Sequence, residues 1–125
     1  VDDKFDANTD NWHRNRWQIR FSGNTYSIAS NNNTVFAKDT LNADNNLSNI
    51  DLSADYSTTI ALSGACAGQT IVSFDHLGRP IAGDLSANTS AYTGQLISSK
   101  CVITLTSGDE NATINIEPET GYTHI

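Results

Sequence analysis

The chain has 125 residues, a net charge of −7 and only 17% charged residues, with abundant Asn, Ser and Thr and no Met. This length predicts one domain, residues 1–125, with a single modest core. The acidic net charge argues against nucleic acid or an anionic membrane surface as a partner. The sequence contains no run of 18 apolar residues, so it predicts no membrane-spanning helix. The composition is commoner in exported β proteins than in cytosolic enzymes.

Residues 1–16 form a predicted polar lead-in without a helical apolar stripe. Asp6, Asn8 and Asp10 have the alternating spacing with which calcium loops begin, since oxygen ligands so placed can converge on one cation. The twelfth position, Trp17, is not the Glu that completes an EF-hand. An Asx-rich turn is the alternative interpretation, and calcium is the one cofactor that the sequence suggests.

The first predicted hairpin joins residues 17–21 to residues 25–28. Trp17, Ile19 and Phe21 alternate with polar residues and are predicted to face inward. The intervening Ser-Gly-Asn is typical of a hairpin loop, and β-branched and aromatic residues follow it.

The middle of the chain predicts short strands separated by long polar loops. Residues 35–38 are predicted to form a short strand, and residues 39–56 a polar loop pinned at spaced apolar anchors. Those anchors are Leu41, Leu47, Ile50 and Leu52. Further strands are predicted at 58–62 and 70–74, a turn at 76–80, and a second polar loop at 83–94.

Strict alternation in residues 101–125 predicts a three-stranded antiparallel meander. Cys101, Ile103 and Leu105 share one face of the first strand. Ala112, Ile114 and Ile116 share one face of the second strand. The fold class is therefore mainly β, with antiparallel sheets.

These patterns predict a core of large apolar side chains on the inward faces of the strands. Its members are Trp17, Ile19, Phe21, Ile28, Ile60, Leu62, Ile71, Phe74, Ile103, Leu105, Ile114 and Ile116. If Phe74 were fully buried, its change to Ala would cost about 3–5 kcal/mol.

The two cysteines, Cys66 and Cys101, enclose 34 residues and are expected to form a disulfide in an exported protein. Loop-closure entropy gives roughly 3.8 kcal/mol of stabilisation as an upper figure. Two buried free thiols in a cytosolic protein are the alternative, and neither cysteine has a second ligand at metal-binding spacing.

No catalytic motif is recognisable. His13, His76 and His124 are scattered, and Asp75 and His76 would point to opposite faces of a strand. We therefore expect that the protein is not an enzyme. Two carboxylates that meet only in space, as in a glycosidase, are the alternative.

Asn-x-Ser/Thr sequons are possible glycosylation sites. They begin at Asn32, Asn46, Asn88 and Asn111. Asn46 and Asn111 also follow an acidic residue by two positions, a pattern that resembles the acceptor of bacterial oligosaccharyltransferases.

Three segments resemble type IV pilin-like proteins of the GspH/FimT group. NRWQIRF at 15–21 resembles the first strand after the pilin helix, and IVSFDHLGRP at 71–80 resembles a strand and Gly-Arg turn of these minor pilins and pseudopilins. INIEPETGY at 114–122 is similar to their closing strands. The resemblance implies antiparallel sheets packed on a long N-terminal helix.

The resemblance has two departures. The hydrophobic prepilin helix is not in the sequence, and we expect it to have been removed to give a soluble headgroup. Its removal is expected to leave an exposed apolar groove, which isolated heads would cover by self-association. The basic C-terminal patch of DNA-binding FimT-type pilins is also missing, because no Lys or Arg follows Lys100.

We therefore expect the head of a minor pilin or pseudopilin, at the bacterial periplasm or cell surface and anchored in the inner membrane before assembly. Its partners would be other pilin subunits, met through loops 39–56 and 83–94, and the membrane only through the missing helix. No nucleic acid is expected as a partner, although a local patch of Arg14, Arg16 and Arg20 could oppose this.

Two other functional classes stay open at this point. A secreted carbohydrate-binding β-sandwich is suggested by Trp12, Trp17 and Tyr26, since aromatic rings can stack on sugars. A secreted hydrolase with a carboxylate pair is the other alternative.

Overall fold

A computed structural model describes residues 16–30, 35–85 and 92–125. Over these residues the chain forms two antiparallel β-sheets and one short α-helix. The mainly-β fold class predicted from the alternating apolar pattern is confirmed.

The first sheet is organised around the predicted N-terminal hairpin. Strand β1 (Gln18–Ser22) pairs with β2 (Thr25–Ser30), from Gln18 opposite Ala29 to Ser22 opposite Thr25. Gly23 has a φ of +58° in the connecting turn, a conformation that residues with a Cβ rarely adopt. The hairpin prediction is confirmed.

Short strands extend this sheet on both sides. Strands β3 (Val35–Phe36) and β4 (Ile50–Asp51) pair with opposite ends of β2. Strand β5 (Thr59–Gly64) belongs to the second sheet, whereas β6 (Ile71–Phe74) and β7 (Pro80–Ala82) continue the first sheet beyond β1. The spatial order in the sheet is β3-β2-β1-β6-β7, so Pro80 opens a strand and does not close the predicted turn.

The predicted polar loop at 39–56 contains more regular structure than its composition suggested. Besides β4, it includes the helix α1 (Leu52–Tyr56), which begins after Asp51. The Asp51 carboxylate accepts hydrogen bonds from the backbone N–H groups of Ser53 and Ala54, at 2.9 and 3.0 Å. This N-cap is a local sequence signal that the polar-loop prediction overlooked.

Three of the four predicted anchors in this segment are half-buried, namely Leu47, Ile50 and Leu52. Leu41 is 95% exposed, so its prediction as an anchor was wrong. Backbone hydrogen bonds around Leu47 also hold the segment, since the N–H of Leu47 donates to the carbonyl of Ala37 and its carbonyl accepts from the N–H of Ile28. Backbone hydrogen bonds of this kind cannot be predicted from the pattern of apolar residues.

The second sheet contains the predicted C-terminal meander. Strands β8 (Cys101–Ser107), β9 (Glu110–Ile116) and β10 (Thr123–His124) follow one another along the chain. Strand β5 pairs on the far side of β8, which gives the order β10-β9-β8-β5. The meander prediction is confirmed, with Cys101 opposite Ile116 and Ser107 opposite Glu110.

The predicted Cys66–Cys101 disulfide is present, and it lies inside the main core. Both cysteines are fully buried, and their Cα atoms are 5.1 Å apart. The buried residues of this cluster are Cys66, Val72, Ile97, Cys101, Ile103 and Ile116. The bridge joins the turn after β5 to the start of β8, so it fixes the second sheet at its most buried point.

The predicted core set needs correction at two positions. Trp17 is 37% exposed and Phe74 is 38% exposed, although both follow the inward alternation. Trp17 precedes β1, and Phe74 is the last residue of β6, where it pairs with Pro80 of β7 but lies beyond the β1–β6 pairing that ends at Gln18 opposite Ser73. The full-burial estimate for Phe74 therefore does not apply.

The remaining predicted core residues divide into two groups. Ile71, Ile103 and Ile116 are buried, at 6% exposure or less. Ile19, Phe21, Ile28, Ile60, Leu62, Leu105 and Ile114 are half-buried. The apolar faces of the two sheets are therefore in contact, but they leave these seven residues partly exposed.

A second, smaller cluster occupies the region after β7. Ile81, Leu85 and Tyr92 are buried together, and Leu96 packs against them. The 83–94 segment is therefore not wholly a polar surface loop, because Leu85 and Tyr92 turn inward. Residues 86–91 of this predicted loop lie outside the described residues.

Candidate functional site: an apolar groove between the sheets

An open groove of about 170 Å³ lies between the inward faces of the two sheets. Its lining is apolar and comes from both sheets and from α1. The lining residues are Ile19, Phe21, Tyr26, Leu52, Ile60, Ile103, Leu105 and Ile114.

Strand register explains why these side chains line one groove. Phe21 lies opposite Tyr26, Ile60 opposite Leu105, and Ile103 opposite Ile114. Directly opposed residues of antiparallel strands project to the same face, so each pair supplies two neighbouring side chains to the groove. The period-two pattern in the sequence is thus sufficient to predict the faces.

Asn24 fixes the rim of the groove and was not singled out by the sequence. Its backbone carbonyl accepts from the N–H of Leu52 at 3.0 Å, and its side-chain Oδ1 accepts from the N–H of Ile60 at 3.1 Å. One turn residue therefore holds α1 on one side and β5 of the other sheet on the other side. This contact positions Leu52 and Ile60 across the groove.

The groove is suited to apolar side chains. Of its lining residues only Ile103 is buried, at 6% exposure, and the others are half-buried. Apolar area left in contact with water stabilises a complex by about 25 cal/mol for each Å² that a partner covers. The arrangement can hold apolar side chains of another segment, and its lining offers no constellation for acid–base or nucleophilic chemistry.

A more open recess of about 260 Å³ lies near the turn between β8 and β9. Thr58, Ser107, Glu110 and Asn111 contribute polar groups to it. Asn111, one of the predicted glycosylation sites, is exposed on β9 opposite Thr106. Asn32 and Asn88 lie outside the described residues. Asn46, which like Asn111 follows an acidic residue by two positions, is also exposed and forms an isolated bridge with Lys38. Both amides are accessible, and glycosylation at these positions stays a prediction.

Asp75 is the buried carboxylate of a turn, with a side chain that is 0% exposed. Its Oδ1 accepts from the backbone N–H groups of Leu77 and Arg79 at 2.9 and 2.8 Å, and its Oδ2 accepts from Arg79 Nε at 2.7 Å. Burial by itself raises the pKa of Asp75, but the hydrogen bonds from Arg79 and Leu77 outweigh it and lower the pKa below its usual value. His76 is exposed, so the two neighbours do not form a buried acid–base pair.

Arg16 extends this turn cluster into the protein. Its guanidinium is buried, donates from Nη1 to the carbonyl of Phe74 at 3.0 Å, and lies 4.7 Å from the centre of the Tyr92 ring. The Tyr92 hydroxyl in turn lies 3.4 Å from Asp75 Oδ2. At 2% exposure Arg16 cannot contribute to a surface patch with Arg14 and Arg20, so that part of the basic-patch hypothesis is wrong. Arg14 lies outside the described residues.

A polar cluster surrounds the C-terminal strand β10. Glu117 Oε1 accepts from Lys100 Nζ at 3.2 Å and from His124 Nε2 at 2.9 Å. The bond from His124, and then that from Lys100, lowers the pKa of Glu117. The Tyr122 ring stacks on His124 with a centroid distance of 5.2 Å and an interplanar angle of 20°. Sequence reasoning treated His124 as isolated, because the contact with Glu117 depends on the meander.

The predicted calcium cluster of Asp6, Asn8 and Asp10 lies outside the described residues. Within residues 16–30, 35–85 and 92–125, no group of three or more His, Cys, Asp or Glu side chains could hold a metal ion. The same part of the chain contains no helix that is long and apolar enough to cross a membrane.

Comparisons with protein families, with curated proteins and with solved structures each gave no match to this chain.

Proposed function

We propose that this protein is the head of a pilin-like filament subunit and that it acts through contacts with other subunits. The observation that carries the proposal is the open apolar groove between the sheets. Two antiparallel sheets with a shared apolar face are what the resemblance to GspH/FimT-like proteins implies, and in those proteins an apolar helix packs on the sheets. The groove has an apolar lining that would take apolar side chains of such a helix.

The position of the groove along the chain supports this assignment. Ile19 and Phe21 on β1 line it, and β1 is the first strand of the described residues. A helix that precedes residue 1 would be joined to β1 and to the groove through residues 1–17. Its apolar side chains would cover the half-buried residues of both sheets.

The disulfide supports an exported location. Disulfides persist in oxidising compartments such as the periplasm and the cell surface and are rare in the cytosol. We accordingly propose a periplasmic or cell-surface protein, held in the inner membrane through the helix before assembly. Its partners are other pilin or pseudopilin subunits in a type IV pilus or a type II secretion pseudopilus, and duplex DNA is not among them.

The hydrolase alternative gains no support from the described residues. The buried carboxylate of Asp75 is already bonded to Arg79 and to backbone donors, so it does not resemble a free member of a catalytic pair. The proposed Trp12, Trp17 and Tyr26 sugar platform also gains none. Tyr26 lines the groove, Trp17 lies beyond the end of β1, and Trp12 is outside the described residues.

Deletion of the gene in its bacterial host tests the proposal. Loss of surface filaments would assign the subunit to a pilus, and loss of protein secretion would assign it to a pseudopilus. Complementation with Ile60→Glu, which places a charge in the groove, should fail, whereas Leu41→Glu at a fully exposed site should succeed. The thermal midpoint of each purified variant is compared with that of the native chain, and Leu52→Ser provides a milder groove change.

If the deletion affects neither filaments nor secretion, the filament proposal is wrong. If folded groove variants complement as well as Leu41→Glu does, the groove does not carry the function. A gel-shift titration with duplex DNA tests the expectation that DNA is not a partner. Salt-sensitive, saturable binding would contradict it.

A further inference from the structure

The C-terminal strand carries an aromatic and polar cluster that the filament proposal does not use. Tyr122 is 65% exposed, and its ring stacks on His124. Glu117 and Lys100 lie next to them through the ion pairs that share Glu117 Oε1. We name these four residues the Tyr122 cluster.

Strand register places the Tyr122 cluster on the outer face of the second sheet. Ile116 pairs with Cys101 and with Thr123, and both Ile116 and Cys101 are buried in the core. His124 pairs with Asn115, the neighbour of Ile116 on β9, so its side chain projects to the face opposite the core, and its bond to Glu117, which also binds Lys100, places those two side chains beside it. The cluster is therefore separated from the groove by the thickness of a sheet, and the two surfaces can act independently.

A purely structural role accounts for only part of the cluster. The bond between His124 and Glu117 attaches β10 to the sheet, since only two residues of β10 pair with β9. It does not require a large aromatic ring that leaves two thirds of its surface in water. The ring is held in a defined orientation by the stack on His124, which is hydrogen-bonded to Glu117, and Glu117 in turn is bonded to Lys100.

This combination matches the chemistry of a pyranose ring. The C–H face of such a sugar is apolar and stacks on aromatic faces, while its hydroxyl groups both donate and accept hydrogen bonds. Glu117 offers a carboxylate acceptor whose Oε2 makes neither of the two ion-pair contacts, and Lys100 offers ammonium donors with 45% of its side chain exposed. We propose that the Tyr122 cluster binds carbohydrate, with a sugar ring stacked on Tyr122 and its hydroxyls bonded to Glu117 and Lys100.

Nuclear magnetic resonance of the ¹⁵N-labelled 125-residue chain tests this proposal with three oligosaccharide probes: cellohexaose, N-acetylchitohexaose and an oligogalacturonate hexamer. Saturable shifts of the amides of residues 115–124 with at least one probe are expected. Tyr122→Ala should weaken that binding about tenfold, the loss expected for one aromatic stacking contact. Tyr122→Phe retains the ring and should change the affinity less than about threefold.

Tyr56→Ala is the matched control, because Tyr56 is 67% exposed but lies on α1, away from the cluster. It should leave binding unchanged. Glu117→Gln retains an acceptor and should weaken binding without changing the shifted residues. Binding by the 125-residue chain does not depend on filament assembly, so its failure would leave the filament proposal standing.

Three results would overturn the carbohydrate assignment. The first is no saturable shift with any of the three probes up to their solubility limits. The second is an equal loss of affinity in Tyr122→Ala and Tyr56→Ala. The third is concentration-dependent dimerisation in sedimentation velocity that Tyr122→Ala abolishes, since that would assign the cluster to a protein interface.

Discussion

Asp75 gives the sharpest test of how the turn between β6 and β7 is held. Changing Asp75 to Ala removes the acceptor for two backbone N–H groups and for Arg79 Nε, all within 2.9 Å. Changing Asp75 to Asn retains an oxygen for the backbone donors and removes only the charge. The two variants therefore separate the hydrogen-bonding role from the ionic role.

The expected loss of folding stability in each variant follows from the burial of the Asp75 side chain. Removing one partner of a buried ion pair costs about 3–5 kcal/mol. Arg79 keeps 34% of its side chain exposed, so water can solvate the guanidinium and the lower end, about 3 kcal/mol, applies to Asp75→Ala. Asp75→Asn should cost about 1–2 kcal/mol, the difference between a charge-assisted and a neutral hydrogen bond.

Urea denaturation followed by tryptophan fluorescence measures both values. With a slope of about 1.5 kcal/mol per molar, the midpoint should fall by about 2 M in Asp75→Ala and by about 1 M in Asp75→Asn. The pH dependence provides a second readout. Because the pKa of Asp75 is lowered in the folded state, its ionic stabilisation is present above the usual carboxyl pKa and is lost as the pH falls through the folded-state pKa.

The difference in denaturation midpoint between the native chain and Asp75→Asn should therefore narrow as the pH falls below the usual carboxyl pKa and through the lowered folded-state pKa of Asp75. An unchanged midpoint for Asp75→Ala would refute the assignment of Asp75 as the anchor of the turn. A difference in midpoint between the native chain and Asp75→Asn that does not change with pH would refute only the ionic contribution of Asp75. The backbone hydrogen bonds would then explain the stabilisation.

Three further predictions concern other parts of the fold. The Cys66→Ala/Cys101→Ala double variant should lose up to about 3.8 kcal/mol, and intact mass should show no alkylation of the native chain without reductant; an unchanged denaturation midpoint would contradict the entropic estimate. Gly121→Ala should be markedly less stable than the control Gly23→Ala, because both have φ near +60° but only the Cβ at residue 121 would overlap a carbonyl oxygen of the neighbouring turn; equal thermal midpoints would disprove that close contact. Glu117→Gln should flatten the acid side of the stability–pH profile, because the lowered pKa of Glu117 implies stabilisation that is lost as the pH falls, and a profile identical to that of the native chain would argue against the bonds from His124 and Lys100.

The candidate groove was predictable in part. Alternation in residues 17–21 and 101–116 assigned Ile19, Phe21, Ile103 and Ile114 to inward faces, because side chains of an extended strand have a period of two. Which of these residues are covered is a different question. That depends on where the opposite sheet ends, and the alternation pattern contains no information on it. Trp17 and Phe74 fit the pattern and are nevertheless more than one third exposed.

The sequence by itself determined the local units of this protein: the hairpin at Gly23, the C-terminal meander and the pairing of its two cysteines. The hairpin and the meander depend on residues that are close in sequence. The disulfide could be predicted because the sequence has only two cysteines and its composition is typical of exported proteins. The burial of Arg16, its contact with Phe74 58 positions away and the union of Glu117, His124 and Lys100 were decided only by the tertiary structure. These contacts join residues from separate elements, and their formation depends on how the strands pair and on which faces the rest of the chain covers.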